Sequence, residues 1–412
     1  MKKTFTTSYG DTIHFDTDDI EVYARRDNLF YNGGPKRPPL FDESSASTLG
    51  GISYAHYQTR YARAYSLVKM LKDTNLYGAY DNLLDIGCGQ GIQPAILRGI
   101  GVARYATGVD IRHSEQYPPR AIKKLHRKLR TVGRLLDGLK ARYRAVPQEK
   151  RNAFQNTIVN NVTTLRSFYI NEYGSDPGSD IYKHPMTATP ELDEHLVQSV
   201  FDLDESRKFD LITSFNAMGY FDLDSILSKV GNLLGDNGAF YMVAANWWRA
   251  FNPTWMAGHF PFAAQRLSTP DFARYAREHF PDDADVMIRL HEEFEPDRPT
   301  LHDYLEKGLA HGLVPIKFDY CNLPSDEYSF GGLTPLGILK RHAGELDEIV
   351  AQVQRFKSNF RLVDLTNHYH SILFVRTGST NTAAGFEQAA GAEEYREGLI
   401  YKSMKGVWKK FF

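Results

Sequence analysis

The chain has 412 residues and a formal net charge of −1, with 42% hydrophobic and 24% charged residues. This balance is typical of a globular protein, and it argues against general disorder and against polyanion binding by the molecule as a whole. No apolar run reaches the roughly 18 residues that a membrane-spanning helix needs. Met1–Thr7 resembles no secretory signal, and two cysteines, Cys88 and Cys321, cannot form a disulfide framework, so we expect a reducing, cytoplasmic location.

The chain begins with a segment that we expect to cover a central α/β domain. Turn-forming residues are frequent up to residue 52, and a helix is predicted over about 54–72. Its tyrosines Tyr54, Tyr57, Tyr61 and Tyr65 recur on one helical face. Such a stripe favours core packing over a ligand surface. We therefore assign residues 1–78 to an N-terminal cover.

A βαβ unit is predicted next. An apolar run enters the glycine-rich turn Gly87–Gly91, a helix follows over 92–98, and a second strand ends at Asp110. A strand, a glycine turn, a helix and a strand that ends in an acid are typical of nucleotide-binding α/β domains.

A basic insertion is predicted over about 117–190. Apolar residues recur at steps of three and four from Ile122 to Tyr143, which predicts one long helix ending near Pro147. The stretch from Arg120 to Arg151 holds twelve Lys or Arg and two Asp or Glu, a net charge of +10. This segment fits RNA, an acidic polysaccharide or an anionic membrane surface, or it is a solvated helix that packs within the fold or on a second subunit.

The α/β pattern resumes near residue 196 and continues to the end of the domain at 377. The predicted strands are 209–215, 239–245 and a final pair, 360–365 and 371–376. Predicted helices cover 223–234 and 345–356, and an aromatic, proline-punctuated lid with short helices covers about 247–335. A small-residue linker follows at 378, and the chain closes with a basic helix from Leu399 to Phe412.

The glycine turn carries the chemical signal. Its spacing is G-x-G-x-G, whereas the dinucleotide fingerprint would place the third glycine where this chain has Ile92. Asp85 precedes the turn by two residues, and its carboxylate can accept a hydrogen bond from an ammonium, a group that a dinucleotide lacks. Asp110 lies 19 residues past Gly91, where an acid at a strand end would hold ribose hydroxyls.

These residues resemble a known family. The segment Leu84–Gly91 is similar to motif I of class I S-adenosylmethionine (SAM)-dependent methyltransferases, and 208–212 resembles the family's fourth strand. The final β pair is similar to the hairpin that closes the family's sheet. The resemblance implies a doubly wound, mixed seven-stranded α/β sheet over residues 79–377, with helical insertions. It also implies methyl transfer from SAM.

The resemblance assigns cofactor contacts residue by residue. The glycine loop would contact the methionine part of SAM, Asp110 would hold the ribose, and Ser199-Val200 would lie at the adenine. The turn after the fourth strand would lie beside the methyl group. The implied cofactor-binding residues are Asp85, Gly87, Cys88, Gly89, Gly91, Asp110, Ile111, Ser199, Val200, Ser214, Phe215 and Asn216.

The sequence gives fewer signals for the molecule that accepts the methyl group. The turn after the fourth strand reads Asn216-Ala217-Met218-Gly219-Tyr220 and lacks the two prolines of many DNA and amine N-methylating members. We expect O-methylation of a sugar hydroxyl on a glycan, a lipid-linked saccharide or a glycosylated small molecule. His259 and His291 are the candidate bases, although a structural or surface role is the simpler interpretation of either histidine. Trp247, Trp248 and Trp255 either offer rings for sugar stacking or pack an inserted subdomain, and no metal site is predicted.

Two other classes of function remain open. One is an RNA or protein methyltransferase that uses the basic helix, although nucleic acid is less favoured because aromatic residues are not interleaved there. The other is a non-catalytic SAM-binding scaffold. The terminal helix places Ile400, Met404, Val407, Trp408 and Phe411 on one face beside lysines, which suits docking to a membrane surface or a protein partner, or packing on its own domain.

Overall fold

The computed structural model describes residues 2–16, 54–145, 184–248, 262–282, 284–293, 298–319, 342–367 and 369–379, together with positions 147 and 339. The predicted C-terminal helix, the residues 17–53 and most of the second half of the basic insertion lie outside these ranges, as do His259 and Trp255.

The described residues form nine strands and ten α-helices. The strands are β1 (Lys2–Thr6), β2 (Thr12–Asp16), β3 (Tyr80–Ile86), β4 (Ala103–Asp110), β5 (Glu194–Val197), β6 (Phe209–Phe215), β7 (Leu234–Ala245), β8 (Leu313–Asp319) and β9 (Tyr369–Arg376). The helices are α1 (Tyr54–Asp73), α2 (Ile92–Gly99), α3 (Pro119–Ala145), α4 (Leu223–Leu233), α5 (Ala263–Arg266), α6 (Thr269–His279), α7 (Ala284–Glu293), α8 (Leu301–Ala310), α9 (Leu346–Gln354) and α10 (Leu362–Thr366).

A seven-stranded mixed sheet forms the centre of the protein, in the order β5-β4-β3-β6-β7-β9-β8. The five strands from β5 to β7 are parallel, and β9 runs antiparallel to both of its neighbours. The predicted doubly wound mixed sheet is therefore confirmed. The carboxyl ends of the parallel strands meet at one edge, where ligands of such sheets bind.

The closing hairpin is built differently from the prediction. Residues 360–365 were expected to be a strand, but 362–366 form α10, and the partner of β9 is β8. The carboxylate of Asp364 accepts a hydrogen bond from the Arg361 backbone N–H at 2.8 Å, which caps the start of α10. It also accepts one from the Leu301 N–H at 2.9 Å, so a buried tertiary contact holds this apolar segment as a helix.

Helix α1 packs against one face of the sheet. Tyr57, Tyr61 and Tyr65 are buried in the same core cluster as α2 and the strands β3, β4 and β6. These three tyrosines of the predicted stripe thus form a packing face, as their spacing predicts. The same helix reaches the ligand-binding edge of the sheet with its arginines.

A second core lies beside the sheet and joins segments that are distant in sequence. The β1–β2 hairpin inserts Phe5 and Phe15 among residues of α5, α6, α7 and α9. The Ser8 backbone N–H and hydroxyl donate to the Asp271 carboxylate, each at 2.9 Å. The start of the chain is thereby attached to the helices that follow β7.

The basic helix α3 contacts the domain with its first half. Ile122 and Leu129 are buried, and His126 is 2% exposed, with its Nδ1 3.0 Å from the Tyr57 hydroxyl of α1. Further along, the described side chains Arg134 and Arg142 are exposed to solvent. Among the described residues, no helix combines the length and apolar character needed to cross a bilayer.

Candidate functional site

The glycine loop connects β3 to α2 and depends on left-handed backbone geometry. Gly87 has φ +69° and Gly89 has φ +52°, values that favour glycine. A Cβ on Gly87 would lie 2.3 Å from the Cβ of Ala217, so the loop and the turn after β6 pack directly together. A Cβ on Gly89 would meet no atom within 4 Å, so the loop presents its bare backbone to open space.

Asp85 lies beneath this loop and is buried. The Thr213 hydroxyl of β6 donates to its Oδ1 at 2.6 Å. Burial raises the pKa of Asp85 to about 7, although the Thr213 hydrogen bond and the positive charge of Arg60 both act to lower it. The group therefore changes charge close to neutral pH, and an ammonium ligand would favour its ionised form.

Asp110, at the end of β4, supports the loop from the other side. Its Oδ2 accepts the Gly89 N–H at 2.9 Å and its Oδ1 accepts the Arg112 N–H at 3.0 Å. These contacts fix the carboxylate at the carboxyl edge of the sheet, facing the same space as Gly89. A carboxylate held there can accept hydrogen bonds from the hydroxyls of a ribose.

A cavity of about 640 Å³ opens between α1 and this edge of the sheet. Most of the residues predicted to bind the cofactor line it: Asp85, Gly87, Cys88, Gly89, Asp110, Ile111, Val200, Phe215 and Asn216. The other three lie just outside. Gly91 begins α2 against Leu192, Ser199 caps the short turn after β5, and Ser214 is buried within β6.

Several lining residues were not predicted: Arg60, Arg63, Gln93, Arg112, Ser114, Gln198 and Tyr220. Arg60 and Arg63 belong to α1, far from the glycine motif in sequence. Nothing in the helical pattern distinguishes them from surface arginines, because only the packing of α1 turns this face toward the cavity.

The turn after β6 positions a polar pair on the cavity wall. Asn216 has φ +66°, and its backbone N–H donates to the Val243 carbonyl at 2.7 Å. With its amide oxygen turned toward α1, Asn216 accepts from Arg63 Nη2 at 2.8 Å and Nη1 at 3.2 Å. The guanidinium also lies 5.9 Å from the centre of the Tyr369 ring on β9.

The candidate base His291 lies away from the cavity-lining residues. Its ring is fully buried and stacks on Phe272 with centroids 4.0 Å apart. Its Nε2 lies 3.3 Å from the Ala264 carbonyl, and Arg298 donates to its Nδ1. Burial lowers the pKa of His291 well below its usual value. This environment is that of a packed core residue, so the geometry does not support a catalytic role for His291. The other candidate base, His259, lies outside the described residues.

The proposed sugar-stacking tryptophans are also core residues where the structure describes them. Trp247 and Trp248 are each 2% exposed and pack edge to face, with centroids 4.9 Å apart. They belong to the second core and offer no ring face to an acceptor. Within the described ranges, no group of three His, Cys, Asp or Glu residues is placed to hold a metal ion.

Comparison with known proteins identifies the family. A family model described as "Methyltransferase domain" matches residues 54–281, more than half of the chain. The chain belongs to this methyltransferase family. No curated protein sequence matches it significantly.

Solved structures that resemble this methyltransferase include the plantazolicin methyltransferase BpumL in complex with SAH, with 13% identity over 87% of this chain and 98% of that chain, at a TM-score of 0.34. Another is the geranyl diphosphate C-methyltransferase from Streptomyces coelicolor A3(2), with 14% identity over 76% of each chain, at a TM-score of 0.32. These scores are low, so the fold assignment depends on the strand order itself.

The cofactor of this methyltransferase is SAM. The cavity fits SAM for two reasons. Gly89 has no side chain, so the space beside the glycine loop stays open, and two carboxylates, Asp85 and Asp110, flank the loop. Asp110 would hold the ribose hydroxyls and Asp85 the ammonium of the methionine part.

Proposed function

We propose that this methyltransferase methylates a hydroxyl of a saccharide-containing small molecule or glycan. The observation that supports this proposal is the turn after β6, where the half-buried Asn216 and the buried Arg63 line the same cavity as Tyr220. Tyr220 is 62% exposed. An accessible aromatic ring beside hydrogen-bonding groups suits the apolar face and the hydroxyls of a sugar.

The residues of the chain act mainly by alignment. SAM, when bound, supplies a methyl group on a positively charged sulfur, so that a C–O bond to the acceptor forms as the C–S bond breaks, SAH leaves, and the hydroxyl proton passes to solvent water. Asp110, the glycine loop and Asp85 would fix the cofactor, while Asn216 and Tyr220 would orient the acceptor from the next strand of the sheet. Holding two reactants in line supplies a large part of the acceleration of such a displacement.

The experiment is transfer of labelled methyl from SAM into fractionated cell extract, with Asp85→Ala as the blank. Label in a saccharide or glycolipid fraction supports the proposal. Label that is sensitive to nuclease or protease contradicts it and points to the exposed arginines of the basic helix α3 as part of a macromolecule-binding surface. SAM binding without any label in extract would contradict catalysis on a sugar and favour a scaffold.

A matched pair of variants tests the acceptor side of the cavity. Tyr220→Phe keeps the ring and Tyr220→Ala removes it. We expect Tyr220→Ala to raise the KM for the acceptor by about two- to tenfold while leaving the affinity for SAM unchanged, since a stacked ring contributes roughly 0.5–1.5 kcal/mol. Equal KM values for the two variants and the wild type would refute sugar stacking on Tyr220.

A further inference from the structure

Two arginines of α1 enter the cavity at different places. Arg60 and Arg63 are three residues apart and therefore share one face of the helix. The charge of Arg60 acts on Asp85, beneath the glycine loop. Arg63 instead contacts Asn216, in the turn after β6, and Tyr369, on β9. The two guanidinium groups thus serve different parts of the cavity.

The strand order indicates which part each arginine serves. Asp110 is on β4, the glycine loop follows β3, Asn216 follows β6, and Tyr369 begins β9. Neighbouring strands lie about 4.8 Å apart. Arg63 therefore lies two or more strands away from the Asp110 carboxylate, on the far side of the glycine loop. This is the part of the cavity that Asn216 and Tyr220 line.

We infer that Arg63, oriented by Asn216, forms a subsite for an anionic group of the acceptor, either a carboxylate or a phosphate. The inference rests on the proposed function and specifies it further, because it makes the acceptor an acidic or phosphorylated saccharide. Arg63 is here a specificity-determining residue that binds substrate and does not take part in the bond-making step.

The chemistry of the pair supports this subsite. The Asn216 amide is neutral, and its oxygen fixes the direction of the guanidinium. Because both Nη atoms donate to Asn216, an anion would bind at the other edge of the guanidinium, where Nε and one Nη can donate two parallel hydrogen bonds to a carboxylate or a phosphate. Arg63 is only 8% exposed, and attraction between opposite charges is stronger where water is largely excluded.

The experiment measures ligand binding to the full chain saturated with SAH. The probes are glucuronate, glucose 6-phosphate, inorganic phosphate and, as the neutral control, glucose. The variants are Arg63→Met, which removes the charge, Arg63→Lys, which keeps it without the fork, and Arg60→Met as the matched control on the same helix face. Affinity for SAH in the Arg63 variants reports whether the fold and the cofactor site remain intact. Arg60→Met removes a charge that acts on Asp85, so its SAH affinity is expected to fall and its anion preference is measured at saturating SAH.

We expect at least one anionic sugar to bind about tenfold or more tightly than glucose, because charge-assisted hydrogen bonds exceed neutral ones. Arg63→Met should abolish that preference with unchanged SAH affinity, and Arg63→Lys should restore part of it. Arg60→Met should retain the preference.

Two results would overturn the inference. If Arg63→Met weakens SAH binding as much as it weakens anion binding, Arg63 serves the cofactor. If no anionic probe binds more tightly than glucose in an Arg63-dependent manner, the subsite does not exist. Arg63-dependent binding of inorganic phosphate without binding of either anionic sugar would support the anion subsite and count against the saccharide proposal instead.

Discussion

Asp85 should make cofactor binding depend on pH near neutrality. Burial raises its pKa from 3.8 to about 7. One pKa unit corresponds to about 1.4 kcal/mol, so ionising this carboxyl costs the ligand-free fold about 4 kcal/mol. Because the folded state holds the proton more tightly than the unfolded chain, the free energy of unfolding falls as pH rises from about 4 to about 7, and it is then level.

An ammonium beside Asp85 would reverse this penalty. At about pH 6 roughly a tenth of the ligand-free carboxyl is ionised, and at about pH 8 roughly nine tenths are. If SAH binds only the ionised form, its affinity should rise about tenfold across this interval. Isothermal titration calorimetry in two buffers with different ionisation enthalpies should also detect close to one proton released per SAH at the lower pH.

Two variants test whether Asp85 causes this pH dependence. Asp85→Asn should flatten the pH profile of the SAH affinity. Thr213→Val removes the 2.6 Å hydrogen bond that stabilises the carboxylate, and it should move the midpoint of the profile to higher pH. A flat profile in the wild type, or an unchanged slope in Asp85→Asn, would show that this carboxyl does not carry the coupling.

Three further predictions concern the loop, the ribose contact and the buried histidine. Gly87→Ala should lower the free energy of unfolding by about 2–4 kcal/mol in chemical denaturation, because the new Cβ would lie 2.3 Å from Ala217 at a positive φ. Gly89→Ala should lower it by only about 1 kcal/mol and chiefly weaken SAH binding, because its Cβ would meet no atom within 4 Å. Similar losses of stability in the two variants would contradict this difference. Asp110→Asn should weaken SAH binding about tenfold or more with little change in melting temperature, and unchanged affinity would remove the ribose role. His291→Phe should lower the melting temperature but leave methyl transfer per folded molecule unchanged; lost transfer at intact SAH binding and melting temperature would restore His291 as a base.

The parts of the fold that local pattern decides were predictable from the sequence. The strand 209–215 was predicted with the bounds that the structure gives it. The glycine loop and Asp110 were also found, because a turn that needs positive φ requires glycines at fixed offsets and because an acid at a strand end stands at the ligand-binding edge. Together these local signals were sufficient to recognise the family.

The closing hairpin was not predictable in the same way. Both β8 and the 360–365 segment are short apolar runs, and periodicity alone does not distinguish a strand from a buried helix at that length. The choice is made by contacts with distant residues, namely the pairing of β8 with β9 and the hydrogen bond from the Leu301 N–H to Asp364.

By itself, the sequence determined the family, the cofactor and the loop that receives it, because these depend on residues close together in the chain. Only the tertiary structure decided which side chains complete the cavity. Arg63 meets Asn216 across more than 150 positions of sequence, and His291 and Trp248 enter a core instead of the site. Helical spacing tells which residues share a face, but the packing of that helix on the sheet decides what the face contacts.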